Sequence, residues 1–252
     1  MTKANVLVFA AALIGLTGGL AEAAPAKPGA PSIVLVHGAL VDGSSWRGVY
    51  EILRKDGYRV SIVQEPLTSL DADVAATKRV LELQDGPVVL VGHSYGGTII
   101  TVAGADPKVK ALVYVAALQP DAGEGTGELV GRMPPQRNDI KSATDGYLYL
   151  DPSKFAVNFP DLPRAQAEFM AASQVPVSGA AFEEKPAVAA WRDKPTYAIV
   201  ATEDQQLNPD LARWMYKRSG AKVTEIKASH LVYISQPRAV AKVIEQAARA
   251  VK

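Results

Sequence analysis

Val88-Val89-Leu90-Val91-Gly92-His93-Ser94-Tyr95-Gly96-Gly97 is an apolar run that breaks into a serine flanked by glycines. The apolar residues after Gly86-Pro87 predict a buried strand, and Thr98-Ile99-Ile100-Thr101-Val102-Ala103 predicts a helix packed on it. Ser94 then sits in the turn between them. Gly92-His93-Ser94-Tyr95-Gly96 fits G-x-S-x-G, whose small residues permit a turn so tight that the serine hydroxyl stands above the sheet in a strained conformation. The same turn aims the Tyr95 N–H and the positive end of the helix dipole at the point where a carbonyl oxygen would become negative. A chance match to so short a pattern is the competing reading, and the placement between a strand and a helix argues against it.

Outward from this stretch, strands and helices alternate. Toward the N-terminus, Ser69 caps a helix whose Leu70, Val74, Thr77, Val80, Leu81 and Leu83 recur at helical spacing, and Tyr58 to Val63 is a strand. Before it, Ser44-Ser45 caps a helix through Trp46, Val49, Ile52 and Leu53, and Ile33-Val34-Leu35-Val36 is a buried strand that runs directly into His37-Gly38-Ala39. Toward the C-terminus the strands are Val109 to Ala116, Thr196 to Ala201 and Lys222 to Ile226, with helices at Pro209 to Ser219 and Gln236 to Val251. That alternation predicts a mainly parallel sheet of an α/β protein with helices on both faces. The rhythm fails from Gln119 to about Arg192. Prolines and glycines crowd Pro120 to Pro135, Tyr147-Leu148-Tyr149-Leu150 follows, and helical patterns recur at Ser153 to Phe159 and Pro163 to Gln174. Phe155, Phe159, Leu162, Phe169 and Met170 are too apolar for a loop left in water, so the segment reads as an inserted cap.

The expected organisation is a signal peptide at 1–23, a flexible tether at 24–31, a core at 32–118 and 193–252, and the cap at 119–192. Lys3, the apolar stretch Val6 to Leu20 and the small residues of Ala21-Glu22-Ala23 fit a secretory signal, which implies export to the periplasm or the medium. That stretch is shorter than the ~20 residues a membrane span needs, so no lasting membrane insertion is expected after its removal. The 252 residues carry 27 basic and 26 acidic side chains, a net charge of +1 that offers no basic field for nucleic acid. There is no cysteine, which excludes disulfides and thiol chemistry. The three histidines, His37, His93 and His230, share no metal-type spacing, so neither a metal nor a cofactor is expected.

In a parallel sheet, residues just past the carboxyl ends of the strands share one edge, so Ala39, Ser94, Asp204 and His230 should converge there. A nucleophilic serine needs a base. His93 adjoins the serine on a turn that points its side chain elsewhere, and His37 lies beside the loop after the first strand, which leaves His230. A carboxylate must hold the imidazole tautomer and stabilise its cation. Asp204, in Thr202-Glu203-Asp204-Gln205, is the first candidate and Asp121, after the preceding strand, the alternative; Glu203 reads as solvated.

These residues carry a resemblance that spans nearly all of the chain beyond the signal segment. Val34-Leu35-Val36-His37-Gly38-Ala39 with Gly43-Ser44-Ser45-Trp46, Val91 to Gly97, Ala201 to Pro209 and Ser229-His230 resemble the α/β-hydrolase superfamily, in particular small bacterial serine esterases related to plant methylesterases and hydroxynitrile lyases. The order Ser, Asp, His is the one this fold uses. The resemblance implies about six strands, backbone N–H groups of Ala39 and Tyr95 as oxyanion donors, and hydrolysis of carboxylic esters. Hydroxynitrile lyases carry threonine where this chain has Gly38 and lysine where it has Leu231, which argues against cyanohydrin cleavage. Ser94 argues against the aspartate-nucleophile enzymes of the same fold. A cofactor-free perhydrolase or haloperoxidase-like enzyme and a non-turnover ligand-binding protein are the alternatives. The cap residues Tyr147, Phe155, Phe159, Phe169 and Met170, with Leu40, Leu207 and Leu231 beside the motifs, are expected to bind a small to medium apolar or aromatic ester.

Overall fold

The computed structural model describes residues 27–251, and the expected signal segment lies outside the described residues. The core begins as β1 (Ser32–Val36), α1 (Arg47–Lys55), β2 (Val60–Ile62), α2 (Leu70–Glu82), β3 (Val88–His93), α3 (Gly96–Ala103) and β4 (Val109–Val115). An insertion follows with α4 (Thr126–Arg132), β5 (Ile140–Ser142), β6 (Tyr147–Leu150), α5 (Phe155–Asn158), α6 (Arg164–Ser173), β7 (Val177–Ser178) and α7 (Ala180–Glu183). The core resumes as β8 (Thr196–Ala201), α8 (Pro209–Ser219), β9 (Lys222–Ile226), α9 (Val232–Ser235) and α10 (Pro237–Ala250). Six strands form one sheet in the order β2-β1-β3-β4-β8-β9, and every neighbouring pair is parallel.

Successive side chains of a strand point to opposite faces, and each face of this sheet is covered by helices. Ile33, Leu35, Val89, Val91 and Val113 pack with Val49 and Leu53 of α1 and Val240 and Ile244 of α10. Val34, Val36, Leu90, Leu112 and Ala198 pack on the other face with Val74 of α2, Ile99 of α3 and Leu211 of α8. Burial on both faces is why these strands read as unbroken apolar runs. Each fully buried Val, Leu or Ile favours the fold by roughly 1.5–3 kcal/mol.

Local chemistry refines the helix boundaries. Ser69 caps α2, its side chain accepting from Ala72 N–H at 3.1 Å. The turn before α1 is capped by Asp42, which accepts from Ser44 N–H at 2.7 Å, rather than by Ser44-Ser45. The closing helix starts at Pro237, whose missing N–H costs nothing in a first turn, and Gln236, out of helical geometry, separates it from the short α9 before it.

The insertion builds its own antiparallel sheet, β5-β6-β7. Gln174, past α6, closes it by exchanging hydrogen bonds with the Leu150 backbone, both at 2.9 Å. Ser178 N–H donates to Leu67 O at 2.8 Å and so ties the insertion to the loop before α2. Among the described residues, no helix is long and apolar enough to cross a membrane.

Candidate active site

β3 ends in the turn the sequence predicts. Ser94 adopts φ +53°, a left-handed conformation that costs a non-glycine residue energy and is held by the packing around it. The flanking glycines are required by contact: a Cβ on Gly92 would lie 2.5 Å from Gly96 O, and one on Gly96 would lie 2.5 Å from His37 O. Gly97, outside the five-residue pattern, is more constrained still, since its Cβ would stand 2.0 Å from Leu118 O.

Three side chains from distant parts of the chain meet at this turn. His230 Nε2 lies 2.8 Å from Ser94 Oγ, and His230 Nδ1 lies 2.6 Å from Asp204 Oδ2. The other oxygen of Asp204 accepts from the N–H groups of Gln206 and Leu207, each at 2.8 Å. Asp204 is only 3% exposed and His230 7%, so the pair works in a medium that strengthens its electrostatic interaction. A carboxylate can only accept, so Nδ1 carries the proton and Nε2 is left free to take the one on Ser94. Asp121 does not take part; it bonds Arg192 and the Ala122 N–H. Glu203 faces solvent, paired with Lys227 at 3.5 Å.

The other histidines frame the site. His93 is buried, and burial followed by the nearness of His230 holds it well below the usual histidine value, so it is neutral. Its Nε2 lies 3.1 Å from His230 O and donates to it, fixing the backbone of the residue it resembles. His37 is lowered by burial as well; its Nε2 accepts from Glu65 N–H at 2.9 Å and its Nδ1–H donates to Gly38 O at 2.8 Å. Gly38 faces the nucleophile, and a Cβ there would lie 2.8 Å from Ser94 Cβ. No protein acceptor takes the N–H of Ala39 or of Tyr95 among the described residues. Leu40, next to Ala39, has φ +65°, a second strained residue on the rim.

Above Ser94 and His230 lies a cavity of about 610 Å³. Ala39, Leu40, Leu207 and Leu231 line it from the core, and Phe155, Phe159, Leu148 and Phe182 from the insertion. Tyr147, Phe169 and Met170 do not line it. In β6 the alternation of side chains turns Leu148 and Leu150 toward the cavity and Tyr147 away. In α6 the buried face is Ala167 and Ala171, which leaves Phe169 69% exposed. Phe169 and Met170 instead border a separate cavity of about 450 Å³ beside α1, which shares Leu40 and Val41 with the first. Among the described residues, no group of three or more His, Asp or Glu is gathered to hold a metal ion.

Beneath the turn runs a buried polar network that motif spacing does not reveal. Tyr95 O–H donates to Asp73 Oδ2 at 3.1 Å, Leu67 N–H to Asp73 Oδ1 at 2.8 Å, and Thr77 O–H to Glu65 Oε1 at 2.8 Å. The second Glu65 oxygen has no partner. Burial pushes Glu65 up to about 8, and pushes Asp73 up to about 6 against the hydrogen bonds of Leu67 and Tyr95. The Tyr95 ring also stacks on Phe182 of the insertion at 5.2 Å between centroids. One residue thus contributes its backbone to the site and its side chain to both the network and the insertion.

The family model described as "Alpha/beta hydrolase family" matches residues 33–243. The carbendazim hydrolyzing esterase of Nocardioides sp. (strain SG-4G) is 37% identical over 123 residues, 42% of this chain, and the match spans half of that enzyme's length. Salicylic acid-binding protein 2 of Nicotiana tabacum is 26% identical over 81% of this chain and 92% of its own. Among solved structures, the pyrethroid hydrolase PytH with BIF superposes with a TM-score of 0.73 at 25% identity, covering 88% of this chain and 98% of that one.

Proposed function

The chain belongs to the alpha/beta hydrolase family, and from that premise we propose that it is a serine esterase, cleaving carboxylic esters of small to medium apolar or aromatic molecules through an acyl-enzyme. The observation that carries the reading is the continuous line Ser94 Oγ, His230 Nε2, His230 Nδ1, Asp204 Oδ2, with separations of 2.8 Å and 2.6 Å. Ser94 Oγ attacks the ester carbonyl as its proton passes to His230 Nε2, while Asp204 stabilises the imidazolium and keeps its orientation. The Ala39 and Tyr95 N–H groups donate to the oxyanion of the tetrahedral intermediate. Collapse of that intermediate expels the alcohol, which takes the proton from His230. Water then repeats the sequence on the acyl-enzyme with His230 as base, releasing the acid and restoring Ser94.

The insertion acts as the cap, and Leu40, Phe155, Phe159, Leu207 and Leu231 are the substrate-contacting residues of the proposal. Their apolar character supports an uncharged ester. The esterase and hydrolase names of two of the relatives support the same chemistry. Export belongs to the proposal on the strength of residues 1–23 alone.

The test is a p-nitrophenyl ester series combined with titration by a serine-directed organophosphonate. Stoichiometric inactivation of wild type, and a fall of about 10³-fold or more in kcat for Ser94→Ala with the fold intact, are expected. Near-normal turnover by Ser94→Ala refutes the mechanism, and a single binding event without turnover in wild type favours a ligand-binding protein instead.

A further inference from the structure

The segment that carries His230 is fixed by hydrogen bonds from three directions. Glu203 N–H donates to Ala228 O at 3.1 Å, and His93 Nε2–H donates to His230 O at 3.1 Å; both partners belong to the core. The third direction is the insertion. Asp161, between α5 and α6, accepts from Ser229 N–H at 2.9 Å through Oδ2 and from the Ser229 hydroxyl through Oδ1. Both of its carboxylate oxygens are therefore engaged by the residue immediately before His230.

The surroundings make this contact directional. Phe159 and Leu162, on either side of Asp161, are buried in the same apolar cluster as Ala228 and Leu231, which stand on either side of Ser229 and His230. Apolar packing thus presses the two turns together, and charge-assisted hydrogen bonds fix how they are aligned. Ser229 is itself buried, and both its N–H and its hydroxyl are directed at Asp161, which stands at the surface over it.

We propose that Asp161 is a positioning residue, which makes the seating of the insertion and the placement of the His230 imidazole a single event. The inference rests on the esterase reading for its consequence in turnover. The base has little tolerance, because a misplacement of ~1 Å costs on the order of 10²-fold in rate. A bond that holds Ser229 through both its N–H and its hydroxyl sets the direction in which the next side chain leaves the backbone. Asp161 does not line the cavity above Ser94, and it reaches His230 through Ser229.

The full chain carrying Asp161→Ala, Asp161→Asn or Ser229→Ala tests this. In the absence of any ester, the low-field proton resonance of His230 Nδ1–H on Asp204 is expected to shift or broaden in both Asp161 variants. An unchanged resonance overturns the proposal, whatever becomes of the esterase reading. Turnover is then measured per site titrated by organophosphonate, so that misfolded molecules are not counted. For Asp161→Ala, kcat per titrated site is expected to fall roughly 10- to 100-fold, with KM within about threefold and the same factor for acetate and butyrate esters. Asp161→Asn, which keeps one acceptor, and Ser229→Ala, which keeps the N–H, should lie between it and wild type. A kcat per titrated site within about twofold of wild type, even with a lowered Tm, makes the contact merely structural and overturns the proposal. A loss confined to KM, or one that differs between the two esters, overturns it too, since Asp161 would then shape the pocket. Failure of wild type to titrate refutes the esterase reading separately, and the resonance still decides the positioning claim.

Discussion

Glu65→Gln isolates the charge buried beneath the reactive turn. Glu65 is 6% exposed, the one hydrogen bond to its carboxyl comes from Thr77, and burial carries it from 4.5 to about 8. The sign follows from which state holds the proton. Between those values the folded chain keeps a proton that the unfolded chain has released, so stability is fully present below about pH 4.5 and is lost as pH rises through about 8. Within the window each pH unit weakens folding by roughly 1.4 kcal/mol, which amounts to something on the order of 5 kcal/mol across it. Glutamine reproduces the shape of the neutral acid, its carbonyl still accepting from Thr77, and it never ionises. At about pH 5 the variant should match wild type or fall below it by the ~1–3 kcal/mol of an unsatisfied amide. At about pH 9 it should be the more stable protein by several kcal/mol. Urea unfolding midpoints of both proteins at one-unit steps from about pH 5 to pH 9 measure this directly. Asp73, raised by burial to about 6, adds a slope of the same sign at lower pH that both proteins share, so the difference between them reports Glu65. Parallel curves across the whole range would refute the reasoning and mean that Glu65 stays ionised in the fold.

Asp204→Asn should cost roughly 10³- to 10⁴-fold in kcat through the wrong imidazole tautomer. Asp121→Asn, at an exposed pair with Arg192, should change kcat less than about threefold, and steady-state rates with the reverse ranking would move the acid to the earlier strand. Phe159→Leu should alter the kcat/KM ratio between an aromatic ester and an acetate by ~10-fold, about 1.4 kcal/mol, whereas Phe169→Ala should leave that ratio unchanged. An equal change from Phe169→Ala would place the substrate outside the cavity above Ser94.

The core was legible because its signals are local and repeated. β3 runs from Val88 and β1 from Ser32 into turns whose glycines have steric partners, and strand order then brings positions 94, 204 and 230 to one edge. The choice between Asp204 and Asp121 was open in the sequence because each follows a strand; the structure gives one of them the imidazole and the other Arg192. The insertion was legible only as apolar and irregular. β5 is three exposed residues paired through their backbone, and β7 is two, too short for an alternation to register. Tyr147 and Phe169 were expected at the pocket for their aromatic character, but which way an aromatic side chain points depends on strand phase and on which face of α6 packs. The bonds Tyr95 to Asp73 and Asp161 to Ser229 join residues far apart in the chain, and spacing carries no trace of them.

The insertion leaves the sheet after β4 and returns in β8, and those strands are ladder neighbours in register from Leu112 opposite Thr196 to Val115 opposite Ile199. Because the two strands are parallel, the insertion leaves at one edge of the sheet and returns at the other, and side chains bridge its ends: Trp191 Nε1–H donates to Pro120 O at 2.7 Å and Arg192 pairs with Asp121. An excursion that starts and finishes at adjacent strands can be lengthened, shortened or exchanged without disturbing the strand order, and the entropy of closing it grows only with the logarithm of its length. Grafting a different excursion at this seam is therefore permitted by the core. What a graft must reproduce is a set of contacts with the core: an N–H for Leu67 O, where Ser178 now donates, a carboxylate for Ser229, where Asp161 now accepts, and partners for Thr98, Gln206 and Arg218, where Thr126, Asn158 and Glu124 now stand. The transferable unit is the excursion together with those fastenings.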